Sequence, residues 1–200
     1  MRSLVMLSLC LFLAACFTAG KRGENGLVVY DLGLSPVRLI EGERKPPMAL
    51  EVRAPLWFDA LGIEYRLAYT DVSRLREYGR ARWAGPPAQL IQQRLVQQLG
   101  LTAAGQGRVN CVLRVEITEF SQVFTTPEIS KGILQGRAQW LDRSRKQLAE
   151  LTLSIEKNAP SPDSRGGVSA LQLATEQLAI DLLAWENQMR VAGKAGACAG

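Results

Sequence analysis

Apolar and polar positions alternate with a period of two along most of the chain and shift to a helical period in two places. This pattern predicts a sheet covered by two helices. Leu27–Leu32 (LVVYDL) and Met48–Val52 (MALEV) read as short strands, the second stopped near Pro55, with residues 35–45 as a connector ending in Pro46-Pro47. Ile63, Tyr65, Leu67 and Tyr69 fall on one side of a half-buried strand over Ile63–Tyr69, and Arg74–Trp83 alternates less cleanly, as an irregular strand would. In Val109–Phe120 the residues Val109, Cys111, Leu113, Val115 and Ile117 share one face, with Arg114, Glu116 and Thr118 on the other. That is the pattern of an antiparallel sheet with one wet side. Phe120, Val123 and Phe124 fall out of this phase, which predicts a bulge. Ile133–Leu141 gathers Leu134, Gly136, Ala138 and Trp140, a polar Asp142–Arg145 loop follows, and Lys146–Glu156 aligns Leu151, Leu153 and Ile155.

The helical stretches are bounded by their own signals. Pro86-Pro87 opens the first, because a proline in the first turn loses no hydrogen bond. Ala88, Ile91, Leu95 and Leu99 then form one apolar face up to Gly100. Gln89, Gln92, Gln93, Gln97 and Gln98 make a polar, nearly uncharged face, suited to solvent or to a partner. A surface loop is expected over Asn158–Gly167. Val168, Leu171, Ala174, Leu178, Leu182, Trp185 and Met189 then make the apolar stripe of a long helix from about Val168 to Met189, expected on the dry face of the sheet. The expectation is one α+β domain over residues 27–189: a largely antiparallel sheet with two main helices on one face, then an Ala/Gly-rich tail at 190–200.

The first 26 residues follow a different pattern. Arg2 precedes a 10-residue apolar run, Leu4–Leu13, which ends in two alanines and a cysteine. The run is a secretory leader and falls short of the roughly 20 apolar residues of a spanning helix. Leu13-Ala14-Ala15-Cys16 resembles the lipobox of bacterial lipoproteins. In that class the cysteine sulfur receives a diacylglyceryl group, cleavage occurs before the cysteine, and the new amine is acylated by a fatty acid such as palmitate. The resemblance implies a leader at 1–15, lipidation at Cys16, and an anchor firmer than a single acyl chain provides. Phe17, where the inner-membrane retention rule asks for Asp, implies the outer membrane, on its periplasmic face. Thr18–Gly26 (TAGKRGENG) reads as a flexible tether reaching at most about 30 Å.

Composition narrows the chemistry. The 200 residues are 47% hydrophobic and 22% charged, enough for one sizeable core. Loss of the leader removes Arg2 and leaves 23 basic against 19 acidic residues, a net charge of +4. The basic residues are scattered, without the aromatic-interleaved stripe expected for nucleic-acid binding. There is no histidine, which excludes Ser-His and Cys-His dyads and histidine zinc sites. Glu116 and Glu119 stand at odd spacing on a strand, hence on opposite faces, poor geometry for joint acid–base work. The Gly105-Gln106-Gly107 turn lacks the other residues of a phosphate loop. A non-enzyme without cofactor or metal is expected. Cys10 leaves with the leader and Cys16 is acylated, so Cys111 and Cys198 are the thiols left in an oxidising compartment. They either form a disulfide pinning the tail to a strand, or stand apart, one buried and one in the tail.

Taken in order, these segments resemble the ABC-type transport auxiliary lipoproteins, partners of MCE-type (mammalian-cell-entry) lipid transport systems. Tyr30-Asp31-Leu32 is similar to the family's opening Tyr-x-Leu strand, and Ile63-Glu64-Tyr65-Arg66 to the strand ending in Tyr-Arg. Tyr78, Arg82-Trp83-Ala84 and Pro86-Pro87 resemble the stretch before the family's first helix, Leu113–Phe120 the strand closing on Glu-Phe, and Trp185 its late helical tryptophan. Asp59-Ala60-Leu61-Gly62 departs from a common Leu-Asp-Arg, and the segment after Met189 has no counterpart. The resemblance implies a non-catalytic lipoprotein docked on a periplasmic MCE assembly, with ABC permease and ATPase subunits as partners and a lipid as a further ligand. From the residues alone, Trp83 beside two prolines reads as a core anchor. Arg66, Tyr78 and Arg82 serve either internal pairing or partner binding. A second class stays open beside transport: an assembly or chaperone lipoprotein of a secretin or lipopolysaccharide-export complex.

Overall fold

The computed structural model of the chain describes residues 26–34, 36–44, 47–106, 109–194 and 198. The leader, Cys16 and most of the tether lie outside the described residues. The elements are β1 (Val28–Tyr30), β2 (Met48–Arg53), β3 (Gly62–Leu67), β4 (Asp71–Trp83), α1 (Pro87–Leu99), β5 (Thr102–Ala103), β6 (Cys111–Phe124), β7 (Ser130–Asp142), β8 (Gln147–Asn158) and α2 (Ser164–Val191).

The sheet is organised around β6. On one side, β7 pairs with it antiparallel from Cys111↔Asp142 to Phe124↔Ser130, and β8 continues the meander. On the other side two short strands lie end to end, both parallel to it: β2 along Cys111–Glu116 and β3 along Gln122–Phe124. The chain between β2 and β3 therefore leaves the sheet beside the middle of β6 and returns to it. Beyond β3 come β4, antiparallel, and β1, parallel to β4; β5 adds a short parallel edge to β2. The longest ladders are antiparallel as expected, while four shorter pairings make the sheet mixed. Alternation reports which face a residue occupies, not which strand it pairs with.

Both helices cover one face. Leu50, Ile63, Trp83, Leu113, Val115, Leu134 and Trp140 from the sheet form one core with Ile91, Leu95 and Leu99 of α1 and Leu171, Leu178, Leu182 and Trp185 of α2. Each such side chain contributes about 1.5–3 kcal/mol on burial. The predicted stripes of both helices are buried throughout. The other face carries ion pairs, among them Glu51 with Arg114 (3.0 Å) and Glu116 with Arg137 (2.6 Å), and one small apolar cluster of Ala49, Val112 and Leu141.

Several expectations need correction. The first strand spans Val28–Tyr30, shorter than Leu27–Leu32. β4 is one 13-residue strand, since cross-strand pairing sustains it where its own pattern is weak. Tyr69 lies beyond β3, in a turn closed by Thr70 N–H donating to Leu67 O (3.0 Å). The bulge falls earlier than the phase break suggested. The register passes from Ile117↔Gly136 to Glu119↔Gln135 and leaves Thr118 without a partner, which returns Phe120 to the core. The same bulge places Glu116 and Glu119 on one face, not two. Gln98 is buried and not on the polar side of α1, and Gln92 accepts the Val52 N–H at 3.0 Å. Finally, α2 begins at Ser164, four residues before the expected Val168, because Asp163 caps it by accepting the Gly166 N–H at 2.8 Å. Glycine is required in that first turn, since a Cβ at Gly167 would collide with the side-chain carbonyl of Gln122. Among the described residues no helix is long and apolar enough to cross a membrane.

Candidate functional site

The four residues singled out from the β3–β4 region divide between the two faces of the sheet. Trp83 is buried against Phe120, ring centroids 5.7 Å apart, and its backbone N–H donates to Leu61 O at 2.7 Å. Tyr78 also faces the helices. Its ring lies 4.6 Å from that of Tyr65, and its hydroxyl donates to Gln122 Oε1 at 2.7 Å, while Gln122 Nε2 donates to Ser130 Oγ at 2.7 Å. Burial pushes the Tyr78 hydroxyl far above the ordinary phenol range, with Tyr65 and Asp163 adding to the effect. Both aromatic residues therefore hold β4 to β6.

Arg66 and Arg82 lie away from this cluster. Arg66 grips Glu119 with two bonds, Nε–Oε1 3.2 Å and Nη2–Oε2 2.9 Å, and donates to Val72 O and Ser73 O at the β3–β4 turn. Arg82 is exposed on β4, between Val29 of β1 and Gly62 of β3. The predicted set is thus one buried and one half-buried anchor, one paired arginine and one surface arginine, and it does not converge on one cavity.

The structure brings together groups that sequence reasoning did not single out. Glu64 stands directly opposite Glu77 in the β3–β4 ladder and near Glu119 of β6. It is only 4% exposed, and its Oε2 has no hydrogen-bond partner among the described residues. Burial first, then the charges of Glu119 and Glu77, push its carboxyl up to about 7, with Arg66 opposing. Glu64 occupies the polar phase of an alternating strand, a signal for solvent, so only the pairing partners reveal its burial. A second such group is Arg94 of α1, nearly buried, whose guanidinium donates to Leu32 O and Leu34 O and fixes the segment after β1. Beside it lies a cleft of about 420 Å³ lined by Asp31, Gln89, Gln93, Arg94 and Gln97 among others. Its walls present hydrogen-bonding groups, not a continuous hydrocarbon surface. Cys16 lies outside the described residues. Cys111, at the start of β6, is joined to Cys198 by a disulfide with Cα atoms 5.5 Å apart. No metal-ligating cluster forms among the described residues.

Comparison with known proteins bears on the fold. No protein-family model matches the chain, and no curated protein matches it in sequence. Two solved structures share its architecture. Protein XCC0632 from Xanthomonas campestris, described as DUF330, superposes with a TM-score of 0.67 at 16% identity, covering 84% of this chain and 97% of its own. An uncharacterized protein superposes with a TM-score of 0.61 at 17% identity, covering 78% and 96%. A third, lipoprotein GNA1162 from Neisseria meningitidis, is aligned at a TM-score of 0.28 and 15% identity, too little common geometry to argue from. The chain therefore has the fold of the first two proteins over nearly their whole length.

Proposed function

We propose that this chain is a non-catalytic lipoprotein, acylated at Cys16 and held at the periplasmic face of the outer membrane. There it serves as an auxiliary component of an ABC/MCE-type lipid transport system. The observation that carries the reading is the convergence of the segments that resemble that family. Those from Tyr30 to Trp83 and from Leu113 to Phe120 lie on or at the ends of four adjoining strands, with Tyr30 abreast of Trp83, Tyr78 against Tyr65, and Arg66 clamped to Glu119, while Pro86-Pro87 opens α1 and Trp185 on α2 packs on Trp140. On this reading the acyl chains hold the domain at the bilayer, the domain docks on the periplasmic MCE assembly, and ATP hydrolysis belongs to another subunit.

The test is co-purification of the acylated protein from detergent-solubilised membranes, read by mass spectrometry. An MCE-domain protein with its permease and ATPase is the expected catch. Recovery of secretin or lipopolysaccharide-export subunits instead would overturn the transport assignment in favour of an assembly role. Cys16→Ser should move the protein out of the outer-membrane fraction, and an unchanged distribution would remove the acyl anchor.

A further inference from the structure

The segment between β2 and β3 carries two large apolar side chains in full view of solvent. Leu56 is 92% exposed and Trp57 74% exposed, whereas the next residue, Phe58, is buried in the core. This is not a loose loop. Phe58 N–H and Asp59 N–H both donate to Pro55 O, at 2.9 and 3.0 Å, closing one tight turn. Asp59 Oδ1 in turn accepts the Ala88 N–H at 3.2 Å, tying the turn to the start of α1. The backbone is fixed on the core side, so Leu56 and Trp57 project outward as a rigid pair. Exposed apolar side chains of this size mark a contact surface when the chain holds them out instead of folding them in.

The tether keeps the anchoring bilayer within reach of the pair. The end of β4 is bonded on one side to Leu61, through the Trp83 N–H, and on the other to Tyr30, through the Ala84 N–H at 2.6 Å. Trp57 precedes Leu61 by four residues, and Gly26, where the tether enters the domain, precedes Tyr30 by four. Because β1 runs with β4 and β3 runs against it, tether entry and tip extend from this row in opposite directions, each by at most about 13 Å of chain. The tether spans at most about 30 Å, comparable to that separation, so an anchored domain can lay its tip on the bilayer. Exposed Arg82 lies on the strand between them, and the mature chain carries a net +4, both suited to anionic headgroups. Tryptophan partitions to the headgroup boundary, where an apolar ring and a polar N–H are both satisfied.

We propose that the Leu56-Trp57 tip inserts into the interfacial region of the membrane to which Cys16 anchors the chain, a second attachment point that sets the orientation of the domain. This rests on the acyl-anchor reading above. Two side chains alone would bind a bilayer weakly. The anchor supplies a high local concentration of membrane, so a weak contact suffices to fix orientation.

The chain is well suited to a direct test. It has four tryptophans, of which Trp83, Trp140 and Trp185 are 1, 2 and 8% exposed, so lipid contact is read almost entirely from Trp57. Full-length acylated protein is reconstituted into phosphatidylethanolamine–phosphatidylglycerol vesicles with and without brominated acyl chains. Bromine should lower wild-type emission by roughly a quarter, one tryptophan's share, and leave Trp57→Phe unchanged, with Leu56→Ser weakening the effect. Equal thermal melts of the variants check folding. Flotation of the same samples separates the two readings, since wild type and Trp57→Phe should float and Cys16→Ser should not. Flotation without bromine quenching, with Trp57 still open to aqueous acrylamide, overturns the tip and assigns it to a protein partner while sparing the anchor. Quenching with flotation independent of Cys16 overturns the anchor and leaves the tip as the membrane contact.

Discussion

At the scale of single residues, the least comfortable group in the fold is Glu64. A like-charged Glu77 stands across the ladder, Glu119 lies nearby, and Arg66 is already committed to Glu119. The folded state binds the Glu64 proton more tightly than the unfolded chain does, with the carboxyl moved from 4.5 up to about 7. Between those two values the native state holds more proton than the unfolded one, so stability falls as pH rises through that window. The full effect is about 3 kcal/mol, lost by pH 8. Glu64→Gln keeps the shape of the protonated side chain and cannot ionise. It should match wild type near pH 4.5 and exceed it by about 3 kcal/mol at pH 8. Urea midpoints of both proteins at the two pH values read the difference directly, and the other carboxylates cancel in the comparison. Parallel pH profiles would mean that water or rearrangement already relieves the site.

At the scale of elements, a buried ion pair joins the connector before β2 to the C-terminal half of α2. Arg44 Nη1 donates to Glu186 Oε1 at 2.5 Å, both side chains are under a tenth exposed, and Arg44 Nε also donates to Leu99 O at the end of α1. Removing one partner strands a buried charge, so Glu186→Ala should cost about 3–5 kcal/mol. The double variant Arg44→Met/Glu186→Met removes both charges and should recover most of that loss in the same denaturation experiment. A double variant no better than the single one would locate the damage in packing instead. Neither residue stood out in the sequence: Arg44 sits in a polar connector and Glu186 between stripe positions of a helix. What the sequence makes legible is local periodicity. The β6–β7–β8 meander and the apolar stripes of α1 and α2 were readable because each element buries one face against one layer. The parallel seating of β2 and β3 on β6 was not, because pairing partners leave no mark on a strand's own alternation. The early start of α2 was hidden by Gly166 and Gly167, which read as loop formers but are there to let the helix approach Ser161 and Gln122 closely. The exposed Leu56-Trp57 tip was not legible because Leu56-Trp57-Phe58 is a short apolar run with no period to tell which of the three the core takes.

At the scale of the whole molecule, the disulfide binds the C-terminal end of the chain to the central strand of the sheet. Cys198 is buried against Cys111, which opens the central strand, and the two are 87 residues apart in sequence. The loop so closed contains β6, β7, β8 and α2, the part of the sheet on which the other strands assemble. A cross-link over such a span restricts the unfolded chain far more than the folded one and is worth about 2–4 kcal/mol. It persists in an oxidising compartment, where the proposed leader would deliver the chain. Cys198→Ser should lower the unfolding free energy by that amount in oxidising buffer, and dithiothreitol should lower the wild-type midpoint to that of the variant while leaving the variant unmoved. A wild-type midpoint indifferent to reductant would mean that packing of the buried cysteines, and not the covalent bond, holds the end of the chain to β6.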